Sequence, residues 1–258
     1  MPAAFRTVRR VVMSLGAPCS GGRGRVDGIP QPLRELPPAP GSGQDAGVTS
    51  IGQATGSDVR DEFWRGVGQV GARRRPVGDR DEAASWPTGS AYVHITTPHS
   101  GILATDGLSA APVDEGGQPP LGLEIYVEGR ELIPTVEGEG RWLVTALEEA
   151  AGALAAAGAD QVAQVLADHA LLSLELSAGE APEDWVSDGR LGALIGVELP
   201  GRPQQLGQHA RALALTPLRP SELAVVTREG AAGRRRVAEA LAGQGWYSYA
   251  DSLRPAVL

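Results

Sequence analysis

The chain has 258 residues and a formal net charge of −8. With 42% hydrophobic but only 4% aromatic residues, its core must be built from Leu, Val, Ile and Ala, and the chain is long enough for one large domain with a tail. The charge is unevenly divided: residues 1–85 hold 12 Arg against 9 acids, whereas residues 86–258 hold 11 Arg against 22 acids, a balance of −11 that argues against nucleic acid as the main partner. The lone Cys19 excludes an intramolecular disulfide and a thiolate metal cluster, and fits a reducing, cytoplasmic setting.

The N-terminal MPAAFRTVRRVVMSLGAPC has a basic start, but its apolar stretch from Val11 to Ala17 is too short and broken for a signal-peptide core. No stretch approaches the roughly 20 apolar residues of a membrane span, so no membrane association is expected. From Gly21 to about Gly56 the chain is rich in Gly, Pro, Ser and Gln without a sustained apolar period, the composition of a segment that stays disordered. A weak helical spacing of Val59, Phe63, Val67 and Val70 follows, and then Arg73 to Arg75, read as a solvated charge run. The whole of residues 1–85 is therefore expected to be a mostly unpacked tail, dispensable for folding, with the organised domain over residues 86–258.

Within that domain, AYVHITT (91–97) alternates Tyr92, His94 and Thr96 against Val93 and Ile95, a strand period, with His94 on the polar side. GILAT (101–105) and LGLEIYVE (121–128) follow as strands. From Trp142 the period changes: Leu143, Leu147, Ala150 and Leu154 recur at helical spacing, and after Gly158 a second segment places Val162, Val165, Leu166 and His169 on one face. LLSLELS (171–177), LGALIGVEL (191–199) and ARALALTPL (210–218) return to strand-like runs. Pro220 and Glu222 suit the first turn of a helix through SELAVVTREG, and GRRRVAEALAG continues as another. This order predicts an α+β fold: a mixed β-sheet of about six strands with helices packed on one face.

The residue types that carry chemistry do not converge. His94, His99, His169 and His209 lack the spacing of a metal site, and no metal is expected. There is no Gly-x-Ser-x-Gly elbow, phosphate loop or dinucleotide fingerprint, so no cofactor is expected. The glycines of GALIGVELPG lie inside a strand pattern, where they mark close backbone packing or a bulge. Glu148/Glu149 and Glu183/Asp184 read as solvent-facing charge. The corner Thr105, Asp106, Gly107, Leu108 and Ser109 reads as a turn, because Gly107 takes positive φ without steric penalty and Asp106 can hydrogen-bond the turn backbone; a triad through Asp106 and Ser109 lacks a positioned histidine. The enzymatic alternative is a small hydrolase or transferase pairing His94 or His99 with Asp106 as acid and base.

The order of a strand, Thr105-Asp106-Gly107-Leu108-Ser109, Pro112 and then the Glu-bearing strand GLEIYV resembles bacterial members of the suppressor-of-fused domain family. LALTPLRPSELAVVTREGAAGRRRVAEAL (213–241) is similar to that family's closing strand, Pro-containing turn, Glu-bearing helix and Leu-rich last helix. The likeness spans about residues 89 to 245, with Leu108 where Met is common and Ala110 where an acid often follows. It implies a non-catalytic protein-binding module. Eukaryotic relatives hold a transcription factor by accepting an added peptide strand, and bacterial ones are associated with toxin immunity. The acidic domain adds the expectation of a protein partner with a basic surface.

Overall fold

In the computed structural model of the chain, residues 56–76, 91–110, 119–133, 138–208 and 210–258 are described. The fold is α+β, as the sequence predicts. The sheet is larger than the expected six strands: ten are counted among the described residues. In chain order the first elements are helix α1 (Gly56–Arg65) and strands β1 (Gln69–Arg74), β2 (Tyr92–Thr96), β3 (Gly101–Thr105) and β4 (Leu123–Gly129). Helices α2 (Arg141–Ala157) and α3 (Ala159–Asp168) follow, then strands β5 (Leu172–Ser177), β6 (Val186–Ser187), β7 (Arg190–Ile195), β8 (Gln205–Leu206) and β9 (Ala210–Leu218). Helices α4 (Pro220–Glu229) and α5 (Ala231–Gly243) and strand β10 (Tyr249–Ala250) complete the order.

The main path of the sheet runs β1-β2-β3-β4-β9-β7-β5. Every neighbouring pair along it is antiparallel except β4 with β9. Asp188 (φ 51°) and Gly189 (φ 72°) form the two-residue turn between β6 and β7, where paired left-handed conformations match the twist of a hairpin. At Gly192 in β7 an added Cβ would lie 2.8 Å from Leu223, so that glycine marks close packing of α4 on the sheet, one of the two readings the sequence allowed.

Helices cover both faces of the sheet, not one. The cause is visible in the strands: β3 and β4 are buried at every position, so side chains of both parities need cover. On one face Leu103, Ile125, Val127, Leu213 and Leu215 pack under Leu143, Leu147, Ala150 and Leu154 of α2. On the other, Val93, Ile95, Ile102, Ala104 and Tyr126 pack under Trp64 of α1. Further along β7 and β9, Leu194 and Leu218 meet Val225 and Val226 of α4 and Val237 and Leu241 of α5.

This second face corrects the position of the domain boundary. α1 and β1 lie N-terminal of Trp86, yet Trp64 is buried and β1 is paired with β2 from Gln69↔Thr96 to Arg74↔Tyr92. Of the residues whose helical spacing looked weak, Phe63 of α1, Val67 just past its end and Val70 within β1 pack against this second core. The expectation of an unpacked tail over residues 1–55, together with Cys19, Pro112 and the segment 77–90, falls outside the described residues.

Candidate functional site

The Thr-Asp-Gly-Leu-Ser corner follows the end of β3, and its organising group is a residue the sequence analysis did not single out. Glu124, in β4 and fully buried, turns its carboxylate into the corner. It accepts hydrogen bonds from the backbone N–H groups of Gly107 (3.0 Å), Leu108 (3.2 Å) and Ser109 (3.0 Å), and from the hydroxyls of Thr105 (2.6 Å) and Ser109 (2.6 Å). Thr105 Oγ1 also accepts the Ile125 N–H at 2.9 Å. Arg60 Nε stands 3.9 Å from the same carboxylate, so the buried side chain faces five hydrogen-bond donors and one guanidinium. Gly107 takes φ 154°, a range a side chain with a Cβ rarely adopts. Leu108 is fully buried in the α2-side core, so the motif's apolar member is an anchor.

Asp106 points to the other face. Its two carboxylate oxygens are gripped by Arg60 Nε of α1 and Arg73 Nε of β1, and Arg73 Nη2 also reaches Asp61 at 2.9 Å. Arg73 is therefore not merely a solvated charge, as its place in an arginine run suggested. The corner is a junction: Glu124 ties it to β4, and Asp106 ties it to the α1–β1 segment.

The His–Asp pair of the enzymatic alternative is not brought together. Tyr92 and Leu103 belong to the α2-side core, whereas Ile102 and Ala104 belong to the α1-side core. His94, cross-strand from Leu103, donates its Nε2–H to the Leu132 carbonyl at 2.9 Å. Asp106 meets α1, so the sheet stands between them. His94 is half-buried, not on an open polar side, and burial lowers its pKa below the ordinary 6.5. His99 occupies the β2–β3 turn, at the Thr96↔Gly101 end of a hairpin whose other end is Tyr92↔Thr105. His169 lies just past the last turn of α3 and is not on its apolar face, and His209 is outside the described residues. Among the described residues no group of three His, Cys, Asp or Glu side chains could hold a metal ion, and no helix is long and apolar enough to cross a membrane.

Two further polar clusters were not legible in the sequence. Glu128, two turns of the pleat beyond Glu124, accepts from Ser100 Oγ (2.5 Å) and from Arg202 Nε (3.0 Å) and Nη2 (2.6 Å). Burial, with Glu128 adding to it, pushes the nearby Tyr126 phenol up to about 12. Glu222, in the first turn of α4, holds Arg254 in a buried bidentate pair at 2.6 and 2.7 Å and accepts the backbone N–H groups of Arg219 (2.8 Å) and Val257 (2.9 Å). Arg219 stacks over Trp185, 4.2 Å from the ring centroid, and donates to the carbonyls of Ser252 and Arg254, so the last residues are strapped to the fold. It also meets Asp184. The Glu148/Glu149 pair is buried, and Glu149 accepts the Ser177 N–H at 3.1 Å. The one available signal was a lone Glu inside an otherwise apolar run, as in LEIYVE and SELAVV.

No family model matches the chain, and no curated protein matches it.

Proposed function

We propose that the protein is a non-catalytic binding module, acting as an immunity or regulatory protein that masks a protein partner by taking a basic, extended segment along the outer edge of β5. The observation that carries this reading is the hydrogen-bonding state of that edge. β5 ends the sheet path, and among the described residues it pairs with β6's neighbour β7 alone. The Ala178 N–H bonds the Gly189 carbonyl, which sets the alternation: Leu172, Leu174 and Leu176 face β7, while the backbone groups of Ser173, Glu175 and Ser177 point outward. Glu149 takes the Ser177 N–H, leaving Ser173 and Glu175 as the open stretch.

An edge of this kind accepts an added strand through main-chain hydrogen bonds. Glu175 within the strand and the exposed Asp168 before it favour a basic segment. The opposite edge, β1, carries Arg73 and Arg74 and suits such a segment less. The resemblance to the suppressor-of-fused family supports the same mode of binding.

The test uses the full chain and a partner recovered from host cells at low salt. Ser173→Pro removes an outward N–H without touching the β7 ladder, and Glu175→Lys reverses the charge. Each is expected to weaken association about tenfold or more, and wild-type association to slow as ionic strength rises. Ser109→Ala is expected to bind as wild type. Unchanged binding in both edge variants, or substrate turnover that His94→Ala or Asp106→Ala abolishes, overturns the reading.

A further inference from the structure

Among the described residues the sheet ends in two strands that each have a neighbour on one side alone, β1 beside β2 and β5 beside β7. Such edges are templates for a further strand. The two are matched in length, at six residues each, and opposite in charge. β1 carries Arg73 and Arg74 and is followed by the exposed Arg75, whereas β5 carries Glu175 and is preceded by the exposed Asp168.

Direction and face follow from the topology. Of the six steps along the path from β1 to β5, five are antiparallel and one, β4 to β9, is parallel. An odd number of reversals makes β5 run opposite to β1. A second copy that continues the sheet in the same orientation therefore brings its β1 antiparallel to β5, the more stable kind of pairing. The faces agree as well. Arg73 Nη2 reaches Asp61 of α1, which puts Arg73 on the α1 face. Glu175 is cross-strand from Gly192, where an added Cβ would meet Leu223 of α4. Leu218, in the core under α4, continues the two-residue alternation of Ala212 and Ala214 in the core under α1, so α1 and α4 share a face. Arg73 of one copy and Glu175 of the next then lie on the same face of the continued sheet, and a register that sets them opposite each other sets Arg75 opposite Ser173.

We propose that the chain pairs with itself head to tail, β1 of one copy adding to the β5 edge of the next. The proposal rests on the reading of β5 as the binding edge and names the strand that occupies it when no other partner is present. Pairing of like edges is disfavoured, because two β5 strands bring Glu175 toward its own copy and two β1 strands bring their arginines together. An interface between two different patches does not close on itself as a two-fold does, so the assembly grows with concentration. The irregular register of β1 between Val70 and Arg73 shortens the regular ladder it can offer, which keeps the self-pairing weak and lets a better basic strand displace it.

The experiment is sedimentation velocity on the full chain alone over a wide range of concentration. Wild type is expected to show a weight-average sedimentation coefficient that keeps rising with concentration and does not level off at a dimer. Glu175→Arg and Arg75→Glu are each expected to weaken self-association about tenfold. Arg75 is exposed and lies past the end of β1, so its variant tests the charge even if Glu175→Arg folds poorly. Mixed in equal amounts, the two variants are expected to form a complex of two chains, since the unaltered β1 of the first meets the unaltered β5 of the second. A wild type that stays monomeric throughout, or a mixture that associates no better than either variant alone, overturns the proposal. If that happens while Ser173→Pro still weakens capture of the external partner, the self-pairing alone fails; if partner binding is also indifferent to the β5 variants, the reading of that edge fails with it.

Discussion

Ser109 donates both its backbone N–H and its hydroxyl to a single oxygen of Glu124, at 3.0 and 2.6 Å, so the corner closes around a carboxylate fifteen residues downstream. Glu124→Gln replaces one acceptor oxygen with an NH2 group facing donors, and is expected to destabilise the fold by about 2 to 4 kcal/mol. Ser109→Ala removes one donor of several and should cost about 1 kcal/mol. Urea unfolding of both variants checks the order; equal effects would show that the other donors do not depend on the charge.

Gly107→Ala forces a Cβ onto a backbone at φ 154° within that corner. The expected loss is about 1 kcal/mol or more, because the strain falls on the folded state. Chemical denaturation measures it, and a variant as stable as wild type contradicts the assigned conformation.

A chain beginning at residue 85 lacks α1 and β1, and so lacks Trp64 and both guanidinium partners of Asp106. It is expected to melt well below a chain beginning at residue 54. The single change Arg60→Met, which leaves Arg73 in place, is expected to cost about 2 to 3 kcal/mol. Equal melting of the two truncated chains would return the domain boundary to Trp86.

Burial lowers the pKa of His94 in the folded state below its ordinary value of 6.5. Between the folded and unfolded values the unfolded chain binds more protons, so the contribution of the neutral ring is fully present above about pH 6.5 and is lost as pH falls through that window. Wild type is expected to lose more stability between pH 7 and 5.5 than His94→Gln does. Melts of the two proteins across that range test the sign.

Arg254→Met leaves the Glu222 carboxylate buried with backbone donors only. The expected destabilisation is about 3 to 5 kcal/mol, as for removal of one partner from a buried pair. Limited proteolysis is expected to release the residues after Asp251 in this variant before the rest of the chain.

What the amino-acid sequence determined by itself is the kind and order of the longer elements from Tyr92 onward; the two-residue strands β6, β8 and β10 left no local signal. The two-residue alternation of LLSLELS and the helical spacing of Leu143, Leu147, Ala150 and Leu154 are local signals, and each became the expected strand or helix. The turn at Gly107 was legible for the same reason, since the conformational freedom of glycine is a property of one residue. Which charges are buried, and with whom, was decided only by tertiary structure. Arg60 meets Asp106 across 46 residues and Arg254 meets Glu222 across 32, and nothing in the spacing of either pair announces a contact. A carboxylate such as Glu124 or Glu149 reads as surface charge until distant donors arrive to replace its water, and their arrival depends on the path of the whole chain. The place of α1 and β1 follows the same logic: their weak local pattern becomes structure because the second face of the sheet, apolar at Val93, Ile95, Ile102 and Ala104, needs cover that the later helices do not provide.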